Sequence, residues 1–313
     1  MSSPFKRYIQ VRVKNSAFNA TWSSDGTQNT VRIRVDDEMK PMFVPSHATV
    51  SLWNLSDSSR KLLQANARYK VTDFVEAMET SESLDIEVDA GYTRDLHSSN
   101  PTKDNLDNVG TIFKGFVRSV QSVRQNADIV TQLKCIHAPY GADFGSTMGQ
   151  FYVGGNAPPD DAIRSVFGHM TKSIDWQELD KEGMSKYYVS GNARRLAEEL
   201  HYKGVHILAT GTGYTMTSVS RVIGTPFPIS YNSNLISITP HTESELSFET
   251  GAKIECMFSP AIFCGGVVKV DALLQPDMSR YYKVTYKNDK LDTGGNDFNS
   301  TIMCLYQMFG GLK

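Results

Sequence analysis

The chain has 313 residues, of which 40% are hydrophobic and 21% charged, a composition typical of folded globular proteins and not of disordered chains, collagen-like repeats or coiled coils. Its 32 Lys and Arg nearly balance 34 Asp and Glu, and the formal net charge is −2. Proteins that bind duplex DNA usually carry a basic face, so this balance disfavours a nucleic-acid-binding function.

Alternation of apolar and polar residues predicts β-strands through about the first 135 residues. Residues 9–13 and 31–35 each place valine and isoleucine on one face and polar side chains on the other. The Ser-Ser-Asp-Gly segment 23–26 lies between them and favours a turn, so the two strands are predicted to form a hairpin or a loop-linked antiparallel ladder. A strand at residues 48–55 is predicted to lead into a short capped helix.

The strand pattern continues to the end of this region. Residues 94–110 are rich in Asn, Asp, Ser and Pro, and they are predicted to be an exposed loop. The last two strands flank the turn-rich segment 124–128, so they are expected to be adjacent and antiparallel. The further strands are predicted at residues 69–75, 84–90, 111–123 and 129–136.

The hydrophobic period changes to that of amphipathic helices in the middle of the chain. Apolar residues recur at helical spacing in residues 163–170 and again in residues 193–200. Residues 205–209 and 214–217 follow, and they are predicted to form a hairpin across the Thr-Gly-Thr-Gly segment 210–213. Together these elements predict a small α/β unit.

Short strands separated by glycine-containing turns return from about residue 235. This spacing predicts a second sandwich or barrel, so the predicted fold class is mainly β with a small α/β part. These strands are predicted at residues 235–238, 253–258, 267–273, 281–286 and 301–306.

Cysteines and histidines are scattered without the spacing of a metal site or a disulfide framework. The seven histidines include no H-E-x-x-H motif, and the four cysteines include no C-x-x-C pair. Cys135 and His137 would share one face of a strand, but one pair does not supply four metal ligands, and closeness in sequence does not establish a nucleophilic dyad. We expect reduced core cysteines at Cys135, Cys256, Cys264 and Cys304.

Motifs of catalysis are also missing from the sequence. The Gly-Thr-Gly segment 211–213 precedes a predicted strand, whereas a phosphate-binding loop opens a helix. Acidic residues at 36–38 and 198–199 leave open a glycosidase-like carboxylate pair after folding. We expect the following side chains to lie on solvated or interface faces of the predicted strands: Arg32, Arg34, Arg118 and Arg124. The sequence therefore predicts no catalytic, cofactor-binding or metal-binding residue, no cofactor and no enzymatic activity.

Several segments nevertheless occur in an order found in a known family. They are 49–56 (TVSLWNLS), 88–92 (VDAGY), 112–117 (IFKGFV) and 128–135 (DIVTQLKC). This order resembles the first domain of the hub proteins of phage tails and baseplates. The later order is similar too, with an A-x-x-L-A-x-x-L helix at 193–200 and strands at 235–240, 251–258, 267–270 and 281–284.

The resemblance implies two antiparallel β-barrels similar to the tail-tube subunit, with a small helical insert. The implied domains are a first barrel at residues 1–145, a small α/β unit at 146–225 and a second barrel at 226–313. It also implies a homotrimeric ring in a contractile tail, in which two barrels per chain give near-sixfold symmetry. Near neutrality agrees with this role, because strong phosphate contacts would hinder passing DNA.

The implied location is the tail baseplate of the virion, with assembly in the host cytoplasm. The implied partners are the tail-tube protein, the central spike protein, other baseplate proteins and the tape measure protein, with DNA only as passing cargo. No membrane span is expected, since no stretch approaches the roughly 18 apolar residues that a spanning helix needs. Two alternatives remain open from the sequence: a hexameric distal-tail or tube-terminating adaptor, and a tail-associated cell-wall hydrolase.

Overall fold

A computed structural model of the chain describes residues 6–24, 30–39, 46–67, 84–93, 108–137, 148–153, 187–192, 205–210, 213–218, 223–242 and 249–306. The described residues form mainly antiparallel β-sheet with one α-helix, α1 (Asp57–Asn66), and a 3-10 turn at Pro276–Met278. The strands are β1 (Lys6–Lys14), β2 (Asn19–Ser23), β3 (Ile33–Met39), β4 (His47–Trp53), β5 (Asp85–Thr93), β6 (Asn108–Gln125), β7 (Asp128–His137), β8 (Met148–Val153), β9 (Tyr187–Asn192), β10 (Val205–Thr210), β11 (Gly213–Ser218), β12 (Ile223–Ser230), β13 (Leu235–Thr242), β14 (Glu249–Met257), β15 (Gly266–Asp271), β16 (Tyr281–Asp292) and β17 (Phe298–Tyr306).

Strands β1 to β7 form an N-terminal group in the order β2-β1-β5-β6-β7-β4-β3, with antiparallel pairing throughout. Successive side chains point to opposite faces of a strand, so the alternating apolar residues collect on one face. Ile9, Val11 and Val13 of β1 are all fully buried, and they join Phe113 and Leu133 in one hydrophobic core. The alternation predicted from the sequence thus forms the interior of this group.

The longest described strand, β6, has 18 residues and changes partner along its length. Its first half pairs with β5 and its second half with β7, and Gly115 lies at the change, opposite Ile86 in one ladder and His137 in the other. A Cβ atom at Gly115 would lie 2.0 Å from the carbonyl oxygen of Ile136. Only a glycine therefore allows the two ladders to meet here without displacing the backbone.

Helix α1 begins where the sequence predicts a capped helix. Ser56 is the N-cap, and its Oγ accepts a hydrogen bond of 3.1 Å from the backbone N–H of Ser59. Asp57 places a carboxylate in the first turn, where the helix dipole favours negative charge. Leu63 is the buried residue of the helix and joins the core of the N-terminal group.

Strands β12 to β17 form a C-terminal group in the order β13-β14-β17-β16-β15-β12. The pair β12–β15 is parallel, and the other pairs of this group are antiparallel. The turn between β12 and β13 is held by Asn234, whose Oδ1 accepts from the N–H of Ser230 and whose Nδ2 donates to the carbonyl of Pro228. Two further pairs, β8–β9 and β10–β11, form separate two-stranded sheets.

Strand β16 pairs with β3 and so joins the two groups into one continuous sheet. The mainly-β fold class predicted from the sequence is confirmed, but in the described residues the sheet runs from β13 to β2 and does not close into a barrel. At its outer edge, β2 makes only one isolated bridge within the described residues, between Ser23 and Thr30. This bridge joins β2 to the segment just before β3, the two outer strands of the N-terminal group, but a single bridge is not the continuous ladder that a closed barrel needs.

Pairing of β6 with β7 and of β10 with β11 confirms two predicted hairpins. The predicted pairing of residues 9–13 with 31–35 is wrong, because β1 pairs with β2 after a tight turn in which the N–H of Asn15 donates to the carbonyl of Phe18. The predicted strand 69–75 and the helical segments 163–170 and 193–200 lie outside the described residues. The domain boundaries at 145 and 225 stay a prediction.

Candidate functional site at the junction of the strand groups

The junction between β3 and β16 carries charged residues on its inward face. Residues of β3 alternate between buried and partly exposed, so Ile33, Val35 and Asp37 all point inward. Asp289 of β16 lies directly opposite Asp37 in the antiparallel register, and Lys287 shares the same inward face two residues earlier. The pairing therefore places two carboxylates and one ammonium group in the sheet interior.

These three side chains form a compact buried cluster. Lys287 Nζ lies 2.8 Å from Asp289 Oδ2, and both side chains are at most 2% exposed. Asp289 Oδ1 accepts a hydrogen bond of 2.6 Å from Ser300 on the neighbouring strand β17. The ammonium group of Lys287 also lies over the ring of Phe258, 5.1 Å from its centre. Asp289 and Lys287 therefore compensate each other's charge.

Asp37 has no such compensation. Neither of its carboxylate oxygens has a hydrogen-bond partner within the described part of the chain. Burial raises the pKa of Asp37 well above its ordinary value, the neighbouring charge of Asp289 raises it further, and Lys287 only partly opposes them. Two carboxylates beside one ammonium group favour retention of a proton, and the raised pKa indicates Asp37 as the residue that holds it.

A second set of contacts stabilises the outer side of the junction. The guanidinium of Arg32 donates to both carboxylate oxygens of Asp292, at 3.1 and 2.7 Å, and lies 4.5 Å from the ring centre of Trp53. Burial would raise the pKa of Asp292, but the hydrogen bonds from Arg32 and from the N–H of Gly294 outweigh it and lower that pKa. This bidentate geometry is specific to arginine, because lysine presents a single point charge.

The loop between β16 and β17, residues 293–297, packs against the N-terminal group. The N–H of Thr293 donates to the carbonyl of Ile33, and its hydroxyl accepts from the N–H of Ile33. Arg7 of β1 donates to the carbonyls of Asp292, Gly295 and Asn296. Strand pairing, buried charge and loop docking therefore fix one group against the other.

The titratable and metal-ligating side chains of the described residues can be compared with what a metal site or an activated thiol needs. They contain no group of three or more His, Cys, Asp or Glu able to hold a metal ion. The four cysteines are free and buried, and burial raises the pKa of the Cys256 and Cys264 thiols to about 12. Such thiols stay protonated and unreactive at neutral pH. Burial lowers the pKa of Lys283 to about 8, but its side chain is fully enclosed.

Residues considered from the sequence fall in several places. Cys135 and His137 share the buried face of β7, as expected for ordinary strand positions. Arg118 and Arg124 are exposed, whereas Arg32 is paired at the junction. Residues 198–199 and 211–212 lie outside the described residues.

The acidic segment 36–38 divides its three side chains between the two faces of β3. Asp36 pairs with Arg34, and Glu38 accepts a hydrogen bond from the hydroxyl of Tyr286. Only Asp37 points inward. Sequence reasoning missed the junction, although the period-two pattern of β3 already placed Asp37 on the face of Ile33 and Val35.

No helix among the described residues is long and apolar enough to cross a membrane.

Comparison with known proteins gives a family match for part of the chain. Residues 12–148, which span most of the N-terminal group, match the family described as baseplate hub gp41. No curated protein sequence matches the chain.

Solved structures with this fold are also found. A tail protein from Neisseria meningitidis MC58 aligns with 95% of this chain and 96% of its own length, at 8% identity and a TM-score of 0.57. The 43 kDa tail protein of prophage MuSo2 from Shewanella oneidensis aligns with 96% of this chain and 98% of its own, at 9% identity and a TM-score of 0.55.

An E. coli component of the type VI secretion system, described as structurally similar to bacteriophage T4 tail proteins, aligns with 91% of this chain and 76% of its own length, at 8% identity and a TM-score of 0.51. None of these descriptions is that of an enzyme, in agreement with the expectation from the sequence. The resemblance to phage tail and hub proteins is therefore confirmed: residues 12–148 match the baseplate hub family, and most of the chain has the fold of phage tail proteins.

Proposed function

We propose that the chain is a structural hub subunit of a phage tail baseplate, which forms a ring between the tail tube and the central spike and lets DNA pass. The observation that carries this proposal is the β3–β16 pairing, which unites two strand groups in one sheet. A subunit that transmits force between a tube and a spike must behave as one body. The ion pairs and the docked loop at the junction provide that rigidity.

The proposed ring contains three copies. Each copy contributes an N-terminal and a C-terminal strand group, so three copies present six groups to a hexameric tube. Closed cyclic symmetry also prevents open-ended growth at the subunit contacts. The partners in this proposal are the tail tube, the spike, neighbouring baseplate proteins and the tape measure protein, with DNA as cargo. We place the protein in the virion tail after assembly in the host cytoplasm.

Copy number in the assembled tail tests this proposal directly. We expect electron microscopy of tails to show three copies of the chain in one ring between tube and spike. Six copies at the distal end of the tube would instead identify a hexameric adaptor. Absence of the chain from the tail would reject both.

The importance of the junction for assembly is tested with a matched pair of variants. Lys287→Met removes the buried ammonium group, and Lys290→Met makes the same change at an exposed position of the same strand. We expect tails to incorporate Lys290→Met normally and to lose Lys287→Met. Equal incorporation of the two variants would show that the junction is not needed for the subunit to join the ring.

A further inference from the structure

Exposed apolar side chains concentrate at one end of the C-terminal strand group. Of the seven large hydrophobic residues found exposed in the described part of the chain, five lie at this end. We call them the apolar end patch: Tyr231, Ile236, Met257, Leu273 and Leu274. Single exposed leucines are ordinary on protein surfaces, but a cluster at one end marks an interaction site.

Backbone hydrogen bonds bring these residues to the same end. The N–H of Tyr231 donates to the carbonyl of Asp271, where the parallel strands β12 and β15 both end. The N–H of Met257 donates to the carbonyl of Asn234 in the turn that joins β12 to β13. The patch is therefore a feature of the folded sheet end and not of one loop alone.

The most exposed members lie on a loop that is already ordered. Leu273 and Leu274 are 60% and 73% exposed. The loop that carries them is closed by a hydrogen bond from the N–H of Ala272 to Ser279 Oγ, and buried Met278 anchors it, with the Tyr282 hydroxyl donating to the carbonyl of Met278. Because the loop is held in place, little conformational entropy is lost when the leucines enter a pocket.

The charges around the two leucines indicate what kind of pocket fits. Asp271 and Asp277 are exposed, and neither carboxylate has an ion pair or hydrogen-bond partner in the described segments. The nearby cations are already engaged: Lys269 lies over the ring of Tyr281, and Arg280 over the ring of Tyr306. The leucines are thus flanked by two carboxylates that make no ion pair within the described segments.

We propose that the apolar end patch docks Leu273 and Leu274 into an apolar pocket of a different protein of the tail, bordered by lysine or arginine side chains. Opposite charges on the rim select and orient such a partner. A second copy meeting this patch across a twofold axis is disfavoured, because the free carboxylates of the two copies would then face each other. The inference rests on the proposed function, since it takes the partner from the tail.

Site-specific photo-crosslinking in assembled tails tests this inference. A photo-crosslinking residue, p-benzoylphenylalanine, replaces Leu274 in one preparation and exposed Gln125 in a control, and the cross-linked peptides are sequenced by mass spectrometry. We expect position 274, and not position 125, to cross-link to a different tail protein at an apolar segment that contains lysine or arginine. Cross-links to another copy of the same chain, or to a segment without basic residues, would overturn the inference.

A double variant gives an independent measurement. Leu273→Ser with Leu274→Ser should leave the melting temperature of the purified chain unchanged, because both side chains are exposed. It should reduce incorporation into tails by about tenfold or more, the effect expected when buried leucine contact area is lost. Unchanged incorporation would reject the docking role while leaving the chain in the tail. Absence of the unmodified chain from tails would reject the proposed function and this inference with it.

Discussion

The interior of the N-terminal strand group and the β3–β16 junction are built on the same alternation but hold different side chains. Inside the N-terminal group the inward positions of β1 carry Ile9, Val11 and Val13, and the core is apolar. At the junction the inward positions carry Asp37, Lys287 and Asp289. An apolar core tolerates many pairings of similar hydrophobic residues, whereas a buried ion pair is satisfied in one register only. We infer that the core supplies stability and that the junction specifies which strands meet.

The largest loss of stability is expected when the buried ammonium group of Lys287 is removed. Lys287→Met leaves Asp289 without its ion-pair partner beside Asp37, and we expect the free energy of unfolding to fall by about 4 kcal/mol. Urea denaturation at neutral pH measures the change. Lys290→Met is the control and should change stability by less than about 0.5 kcal/mol, because its side chain is exposed. Equal effects of the two changes would contradict the role given to Lys287.

A cavity in the apolar core should lower the free energy of unfolding somewhat less, and the loss should not depend on pH. Leu133→Ala removes a fully buried side chain of the N-terminal group, and the free energy of unfolding should fall by about 3 kcal/mol. This loss should be the same at acidic and alkaline pH, since no titratable group is changed. A strongly pH-dependent loss would show that the core and the junction are coupled.

The raised pKa of Asp37 gives the junction a pH dependence of defined sign. The folded chain retains a proton that the unfolded chain releases near its ordinary pKa, so this contribution is complete below about pH 4 and is lost as pH rises. Asp37→Asn mimics the protonated form. We expect it to match the unmodified chain at low pH and to be more stable at pH 8, by about 1.4 kcal/mol for each unit by which the pKa of Asp37 is raised, because the unmodified chain must take up a proton or bury a charge when it folds there.

Denaturation curves from pH 4 to 9 measure this difference. The group with the lowered pKa, Asp292, has the opposite sign: its contribution is present above the unfolded pKa and is lost as pH falls. It is common to both chains and therefore cancels in their comparison. Parallel curves for the Asp37→Asn variant and the unmodified chain would show that Asp37 is ionised in the folded state.

The smallest effect is expected at the outer side of the junction. Arg32→Lys keeps the positive charge but loses the two-point contact with Asp292 and the stacking on Trp53, so the free energy of unfolding should fall by about 1 kcal/mol. Arg118→Lys, at an exposed position of β6, should have no measurable effect. If raised salt concentration abolishes the difference between the two variants, the Arg32 contact is purely electrostatic.

The local sequence pattern predicted the positions of the strands better than it predicted which strands pair with each other. Alternation located β1, β4, β5, β6 and β7, and the Ser-Asp cap located α1. The partner of β1 was mispredicted, because a turn at residues 15–18 precedes the stronger turn signal at residues 23–26. Short-range turn chemistry identifies where a chain can reverse, but several such places compete, and packing decides between them.

The junction could not be predicted in full for a different reason. The inward position of Asp37 follows from the period of β3, and that of Asp289 from the period of β16. Their meeting depends on a pairing between segments 252 residues apart, Asp37 to Asp289, and no local pattern encodes such a pairing. The open form of the sheet was missed for the same reason, because closure depends on which edges meet.

The separation of β3 and β16 along the chain also sets an order of events during synthesis. Strand β3 is complete within the first 39 residues and β4 pairs with one of its edges, but the partner of its other edge, β16, is complete only at residue 292. Until then the N-terminal group presents β3 as an unpaired edge, open to the strands of other nascent chains. The consecutive acidic residues 36–38 lie on that edge, where charge opposes association with other strands. We infer that this acidic segment protects the growing chain from aggregation until β16 pairs with β3.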